Sequence, residues 1–356
     1  MAAFRKIGVL TSGGDAPGMN SAVRAVTLSA LARGVEVVGI YKGYTGLISG
    51  ELKDLSARDV ANIGALSGTV LYSDRCPEFK TEEGMAKAVA TCRANSIDGI
   101  VAIGGDGTFR GATDLSIRGI PTIGIPGTID NDITSTDYSI GFDTAMNTVL
   151  HAADCLRDTC ESHARCEVIE VMGRDAGYIA VQCGLAAGAA AIAVKEAIPF
   201  DEDGCIAKLK ELRAKGQRSF LIMVSEGMGG EFGENLTKRI EAEAGIESRF
   251  IRLAHMVRGG APTLRDRLTA SRMGDYAVDL ILKGKSDLVV CERDGKLVET
   301  EIKYALMLDR MYKGKLKDGD LDSFTEAQVA EMKAFCEAKH AAFFDMLDVA
   351  KTLAQN

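Results

Sequence analysis

Four apolar residues, Ile100 to Ile103, run without a break into Gly104-Gly105-Asp106-Gly107-Thr108. The segment that follows carries apolar side chains at helical spacing: Phe109, Ala112 and Leu115. A strand that ends in glycines and gives way to a helix is the repeating unit of a parallel α/β sheet. It leaves backbone N–H groups pointing at whatever lies beyond the strand end. Gly104, Gly105 and Gly107 lack a Cβ, so a phosphate can approach the main chain there. Asp106 would repel that phosphate unless a divalent cation such as Mg2+ lay between them. A second turn repeats the design. The strand Thr122 to Ile125 runs into Pro126-Gly127, and Thr128, Asp130 and Asp132 follow at alternate positions, which predicts a shared face if the stretch is extended. A hydroxyl and two carboxylates beside a phosphate cradle suit phosphoryl transfer to an alcohol, one carboxylate taking the hydroxyl proton and another helping to hold the metal.

Length and charge limit the alternatives. A chain of 356 residues, 46% of them hydrophobic, divides more naturally into two domains than one. No stretch reaches the roughly 18 unbroken apolar residues of a membrane span, and the start, Met1 to Ile7, reads as strand rather than signal peptide. Nine cysteines without a C-x-x-C pair predict reduced thiols, no zinc site and a cytoplasmic location. A net charge of −8 argues against nucleic acid as a partner and requires a local cluster of arginines for any anionic substrate.

Along the chain, Lys6 to Thr11 is a strand ending in Ser12-Gly13-Gly14, with a helix to about Arg33. The spacing Gly13 to Gly18 is that of a P-loop, but Met19-Asn20 stand where Lys and Ser or Thr are needed, so phosphate would meet only backbone N–H groups and the helix dipole. Val35 to Tyr41 reads as a strand, Gly43 to Gly50 as a turn, and Glu82 to Asn95 as a helix. Ser139 to Glu161 predicts a long helix crossing between domains. Arg165 to Val171 and Ser219 to Val224 are further strands, ending in Met172-Gly173-Arg174 and Ser225-Glu226. A helix follows Arg265 to about Leu282, a hairpin turns at Asp294-Gly295, and Thr325 to Asn356 form a helical tail. The tail's Phe335, Phe343, Phe344 and Leu347 predict packing on a domain or a partner subunit. The alternation of strands and helices predicts an α/β fold with two doubly wound domains, their mostly parallel sheets sandwiched by helices.

Gly-Gly-Asp-Gly-Thr followed by Pro126-Gly127-Thr128-Ile129-Asp130-Asn131-Asp132 resembles the bacterial type of the ATP-dependent 6-phosphofructokinase family, and the likeness runs to about Gly284. The resemblance implies transfer of the γ-phosphoryl group of ATP to the 1-hydroxyl of fructose 6-phosphate. Asp130 would be the general base, Asp106 the Mg2+ ligand, and Asp132 a support for metal or base. Thr128, Arg174 and Arg75 would stabilise the moving phosphoryl group. ATP would lie against Gly13, Gly14, Arg75, Cys76, Gly104, Gly105, Asp106, Gly107 and Thr108. Fructose 6-phosphate would meet Thr128, Asp130, Asp132, Met172, Gly173, Arg174, Glu226, His255 and Arg258. Arg165 and Arg249 match arginines that reach a neighbouring subunit's sugar phosphate, which implies a homo-oligomer, a tetramer, with shared sites. The nucleotide domain would comprise 1–140 with about 260–305, and the sugar-phosphate domain 141–259 with about 306–356.

Pyrophosphate-dependent relatives carry Asp at the position of Gly107 and Lys at that of Gly127, so glycine at both leaves room for the rest of ATP. Dinucleotide and lipid kinases share only the first motif. A silent regulatory subunit would be expected to lack a carboxylate, and Asp106, Asp130 and Asp132 are all present. The family's effector site falls on Arg24, Leu28, Arg157 and Gln217. With two of its four cations missing, the resemblance implies weak control by ADP or phosphoenolpyruvate unless Lys215 or Arg218 compensates.

Overall fold

The computed structural model describes residues 4–354; Met1–Ala3 of the strand-like start and Gln355–Asn356 of the tail lie outside them. The chain falls into two units, Met1–Thr144 with Arg258–Cys336, and Ala145–Val257 with Glu337–Asn356. In chain order the first unit carries β1 (Lys6–Ser12), α1 (Met19–Ala32), β2 (Glu36–Ile40), α2 (Tyr44–Ser49), β3 (Leu52–Leu55), α3 (Glu82–Ala94), β4 (Gly99–Gly104), α4 (Asp106–Ile117) and β5 (Thr122–Pro126). The boundary falls inside α5 (Phe142–His163). The second unit then carries β6 (Cys166–Val171), α6 (Tyr178–Ala186), β7 (Ala191–Ala193), α7 (Glu202–Ala214), β8 (Phe220–Ser225), α8 (Phe232–Ala244) and β9 (Ser248–Arg252). The chain returns to the first unit for α9 (Leu264–Leu282), β10 (Leu288–Arg293), β11 (Lys296–Glu301) and α10 (Ile302–Tyr312), and ends in α11 (Glu326–Leu353).

The strands β4 and β5 are buried along their whole length, as unbroken apolar runs covered by helices on both faces should be. They lie at the centre of a seven-stranded sheet in the order β11-β10-β5-β4-β1-β2-β3. Its five inner strands are parallel, and β3 and β11 pair antiparallel at the two edges. The hairpin of β10 and β11 turns at Asp294 (φ 50°) and Gly295 (φ 73°), a two-residue turn with both residues left-handed. The second unit holds a wholly parallel sheet, β7-β8-β6-β9, whose core includes Val168, Leu209, Phe220, Ile222 and Leu236. Both sheets fit the doubly wound reading.

Three differences have physical causes. Gly43–Gly50 is not a plain turn but contains α2, because Tyr44 stacks on Phe79 (centroids 4.1 Å apart) and donates to the Thr108 carbonyl at 2.6 Å. Tertiary packing holds a six-residue helix that has no periodicity to announce it. The edge strand β3 is half polar, Leu-Lys-Asp-Leu, and carries little apolar signal. Residues 306–336, read with the second domain, cluster with the first. Leu308, Met332 and Cys336 form a small core there, and the Arg293 guanidinium lies 5.0 Å from the centre of the Phe335 ring. Phe343, on the same tail helix, meets Tyr178 edge-on at 5.2 Å in the second unit. Among the described residues no helix is long and apolar enough to cross a membrane, and all nine cysteines are free.

Candidate active site

From β1 the chain runs outward to β2 and β3, then returns on the other side at β4. Open α/β sheets bind ligands beyond the carboxyl ends of such a strand pair. The register pairs Ser12 with Gly104, so the two glycine turns lie side by side. A Cβ at Gly104 would collide with the Ser12 carbonyl and the Thr108 side chain, which is why only glycine serves there. Thr108 donates from its hydroxyl to the Ser12 carbonyl at 3.0 Å and ties the turns together. Asp106 opens α4 at the positive end of the helix dipole. A Cβ at Gly105 or Gly107 would meet nothing within 4 Å. Gly127 differs: its Cβ would lie 3.1 Å from Met19 and 3.2 Å from Ile103, so the room expected at both glycines exists only at Gly107. The loop bearing exposed Arg75 and half-buried Cys76 is tied to the same turns. Ser73 donates to the Gly13 carbonyl at 2.6 Å, and Thr11 to the Tyr72 carbonyl at 2.8 Å.

Thr128, Asp130 and Asp132 do not share an extended face. Asn131 is left-handed (φ 50°), and its Oδ1 accepts from the Ser139 N–H at 2.9 Å while its Nδ2 donates to the Asp137 carbonyl at 3.2 Å. The Asp130 N–H donates to the Thr128 hydroxyl at 3.2 Å. Asparagine suits such a turn because its side chain bonds the nearby backbone. The result buries Asp130 to 2% exposure.

Asp132 instead meets Lys313, whose Nζ lies 3.0 Å from Asp132, 2.8 Å from Asp309 and 3.7 Å from Asp106. Asp309 also accepts from the Thr134 hydroxyl at 2.7 Å. Burial, and after it the Asp309 carboxyl, push the Asp106 carboxyl up to about 8. Burial would raise Asp309 as well, but hydrogen bonding with Asp106 and the Lys313 charge hold it below the usual range. Burial works against the Lys313 ammonium, and the three surrounding carboxylates more than offset it. Asp309 and Lys313 lie outside the motifs read from the sequence; their signal is an opposite-charge pair four apart at the end of a helix whose Ile302, Ala305 and Leu308 are buried.

In the second unit an open cleft of ≈ 680 Å³ lies at the carboxyl ends of β6, β8 and β9. Met172, Arg174, Glu226 and His255 line it. Glu226 accepts from the Gly173 N–H at 3.1 Å and from the Arg174 N–H, and so holds Arg174 in a left-handed conformation (φ 53°). Glu170 and Arg252 line the cleft too, and the sequence motifs did not include them. They are register partners on β6 and β9, and the guanidinium donates to the carboxylate at 2.5 Å. A buried strand that carries two glutamates, Glu167 and Glu170, among apolar residues was the available signal.

Arg258 does not line this cleft. It belongs to the first unit and donates to the Asp15 carbonyl at 2.9 Å, next to Gly14. Arg165 and Arg249 both pair with Glu247, at 2.8 and 2.5 Å. Of the effector-site positions, Arg157 donates to the Ala187 carbonyl, while Lys215 and Arg218 pair with Glu211 and Glu161.

The phosphofructokinase (PFK) family model matches residues 6–281. The chain is 52% identical over 301 residues to the ATP-dependent 6-phosphofructokinase of Bacillus subtilis, covering 84% of this chain and 93% of that one. It is 49% identical over 315 residues to the enzyme of the same name from Clostridium novyi, covering 88% and 98%. Among solved structures, phosphofructokinase from Saccharomyces cerevisiae aligns with a TM-score of 0.81 at 30% identity, over 89% of this chain but 47% of the longer yeast chain. Both glycine turns, the carboxylates after β5 and the Met172–Arg174 turn fall inside the matched span, and the chain belongs to the phosphofructokinase family.

Proposed function

We propose that the protein is an ATP-dependent 6-phosphofructokinase of glycolysis, transferring the γ-phosphoryl group of ATP to the 1-hydroxyl of fructose 6-phosphate to give fructose 1,6-bisphosphate and ADP. The observation that carries the reading is the buried Asp130 carboxylate, on a turn that follows β5, one strand from the glycine turn of β4. Asp130 takes the proton of the sugar hydroxyl as the oxygen attacks. Thr128, Arg174 and Arg75 stabilise charge on the moving group, and the glycine turns at Gly13-Gly14 and Gly104–Thr108 hold ATP through their N–H groups. Met172, Gly173, Glu226 and His255 hold the sugar phosphate, with Arg258, Arg165 and Arg249 contributing cations.

The residues present fit Mg2+. Asp106 offers carboxylate oxygens next to Asp132 and Asp309, and a hard cation prefers such donors. Among the described residues no three His, Cys, Asp or Glu side chains are arranged to hold a metal. Asp106 would hold the ion, and a Mg2+ held there would supply positive charge to offset that of the transferring phosphates.

The open space at Gly107 favours ATP over pyrophosphate as donor. A cytoplasmic homotetramer with sites shared through Arg165 and Arg249 completes the reading, and a sedimentation mass of a single chain would count against that part. The direct test is Asp130→Asn. It keeps the shape but removes the base, and turnover should fall by roughly two to four orders of magnitude with sugar-phosphate binding largely kept. A drop of less than about tenfold would remove Asp130 from the role of base.

A further inference from the structure

Three carboxylates, Asp106, Asp132 and Asp309, converge on one ammonium group that reaches them from beyond the end of α10. Lys313 is 20% exposed and Asp309 7%, so the cluster is largely shielded from solvent and its Coulombic terms are strong. Asp309 is itself fixed by the Thr134 N–H at 3.3 Å and the Thr134 hydroxyl at 2.7 Å. Lys313 is therefore held by a fixed anchor, Asp309, while also contacting Asp132 and Asp106.

We propose that Lys313 is a built-in counter-ion for the cluster of Asp106, Asp132 and Asp309: it compensates the cluster's negative charge in the nucleotide-free protein and thereby keeps divalent metal from binding there until nucleotide phosphates bring it. This rests on the reading of Asp106 as the metal ligand. A free divalent ion approaching Asp106 meets a positive charge already held 3.7 Å from that carboxylate, and the attraction of the carboxylates is partly spent. A metal accompanied by a polyphosphate brings its own anionic ligands and does not depend on the cluster alone. Lys313 is on this view a positioning residue, acting through Asp106 and Asp132 rather than on substrate.

The test measures metal binding without nucleotide. Purified protein is titrated with Mn2+ and free Mn2+ is followed by its paramagnetic resonance signal, for wild type, Lys313→Met, Lys313→Gln and Lys313→Arg. Removing the charge should tighten Mn2+ binding by about tenfold or more in the Met and Gln variants, whereas Arg, which keeps the charge, should bind as weakly as wild type. The Met and Gln variants should also lose thermal stability without metal and regain it with Mn2+. Gln serves where Met does not fold, since it can still hydrogen-bond the carboxylates. Unchanged Mn2+ affinity in the folded uncharged variant overturns the proposal, as does equal tightening in Lys313→Arg. Asp106→Asn separates the underlying reading: if it leaves Mn2+–ATP binding by the wild-type background unchanged, Asp106 is not the metal ligand, whatever Lys313 does. If it weakens that binding while Lys313→Met and Lys313→Gln change nothing, the counter-ion role alone fails.

Discussion

Asp130 and Asp132 are two residues apart, yet the fold gives them opposite surroundings: one is buried, the other is bound to a lysine 181 positions away. The left-handed Asn131 between them makes the difference. Nothing in the alternation of Thr128, Asp130 and Asp132 announces it, because a period of two assumes an extended backbone and an asparagine can close a turn instead. The residue types of the site were legible; their facing was not. The same holds for the two motif glycines. Gly107 borders open space and Gly127 is packed by Met19 and Ile103, so they cannot serve the same purpose. Gly107→Asp is the sharper substitution, since it adds a carboxylate beside the phosphate cradle without disturbing the core. It should weaken use of ATP by at least about tenfold while leaving fructose 6-phosphate binding near wild type, read as separate Michaelis constants and turnover. Equal effects on both substrates, or none, would show that Gly107 does not border the nucleotide.

Whole elements were easier to read than their partners. The strands ending at Ser12, Gly104 and Pro126 are apolar runs closed by glycine or proline, and each appears where that pattern puts it. α2 and β3 escaped because one is held by the Tyr44 contacts and the other is polar. The tail helix was visible from its apolar spacing, but its division between two cores follows from contacts far apart in sequence. One such long-range link braces the segment between the carboxylate turn and α5. Asp266, in the first turn of α9, is fully buried and accepts from the Tyr138 hydroxyl at 2.5 Å, the Gly141 N–H at 2.7 Å and the Thr144 N–H at 2.9 Å. Asp266→Asn turns one acceptor oxygen into a donor amide facing those donors. It should destabilise the fold by about 2–4 kcal/mol in denaturant unfolding. A loss below about 0.5 kcal/mol would mean that this hub does not brace α9 against the segment.

At the level of the whole molecule, a net charge of −8 must coexist with anionic ligands. The cations assigned to them are distributed over both units: Arg75 and Arg258 in the first, Arg165, Arg174 and Arg249 in the second. Each unit holds a sheet of the doubly wound kind, and such sheets take ligands at the carboxyl ends of their strands. The sequence reading grouped the segment 306–336 with the other unit, because its apolar residues gave no hint of which core they join. The most direct measurement is a donor comparison: purified protein with fructose 6-phosphate and Mg2+, supplied with either ATP or pyrophosphate, and the formation of fructose 1,6-bisphosphate followed. Rapid turnover with ATP and little or none with pyrophosphate is the predicted result; turnover with pyrophosphate and not ATP, or with neither, would contradict it.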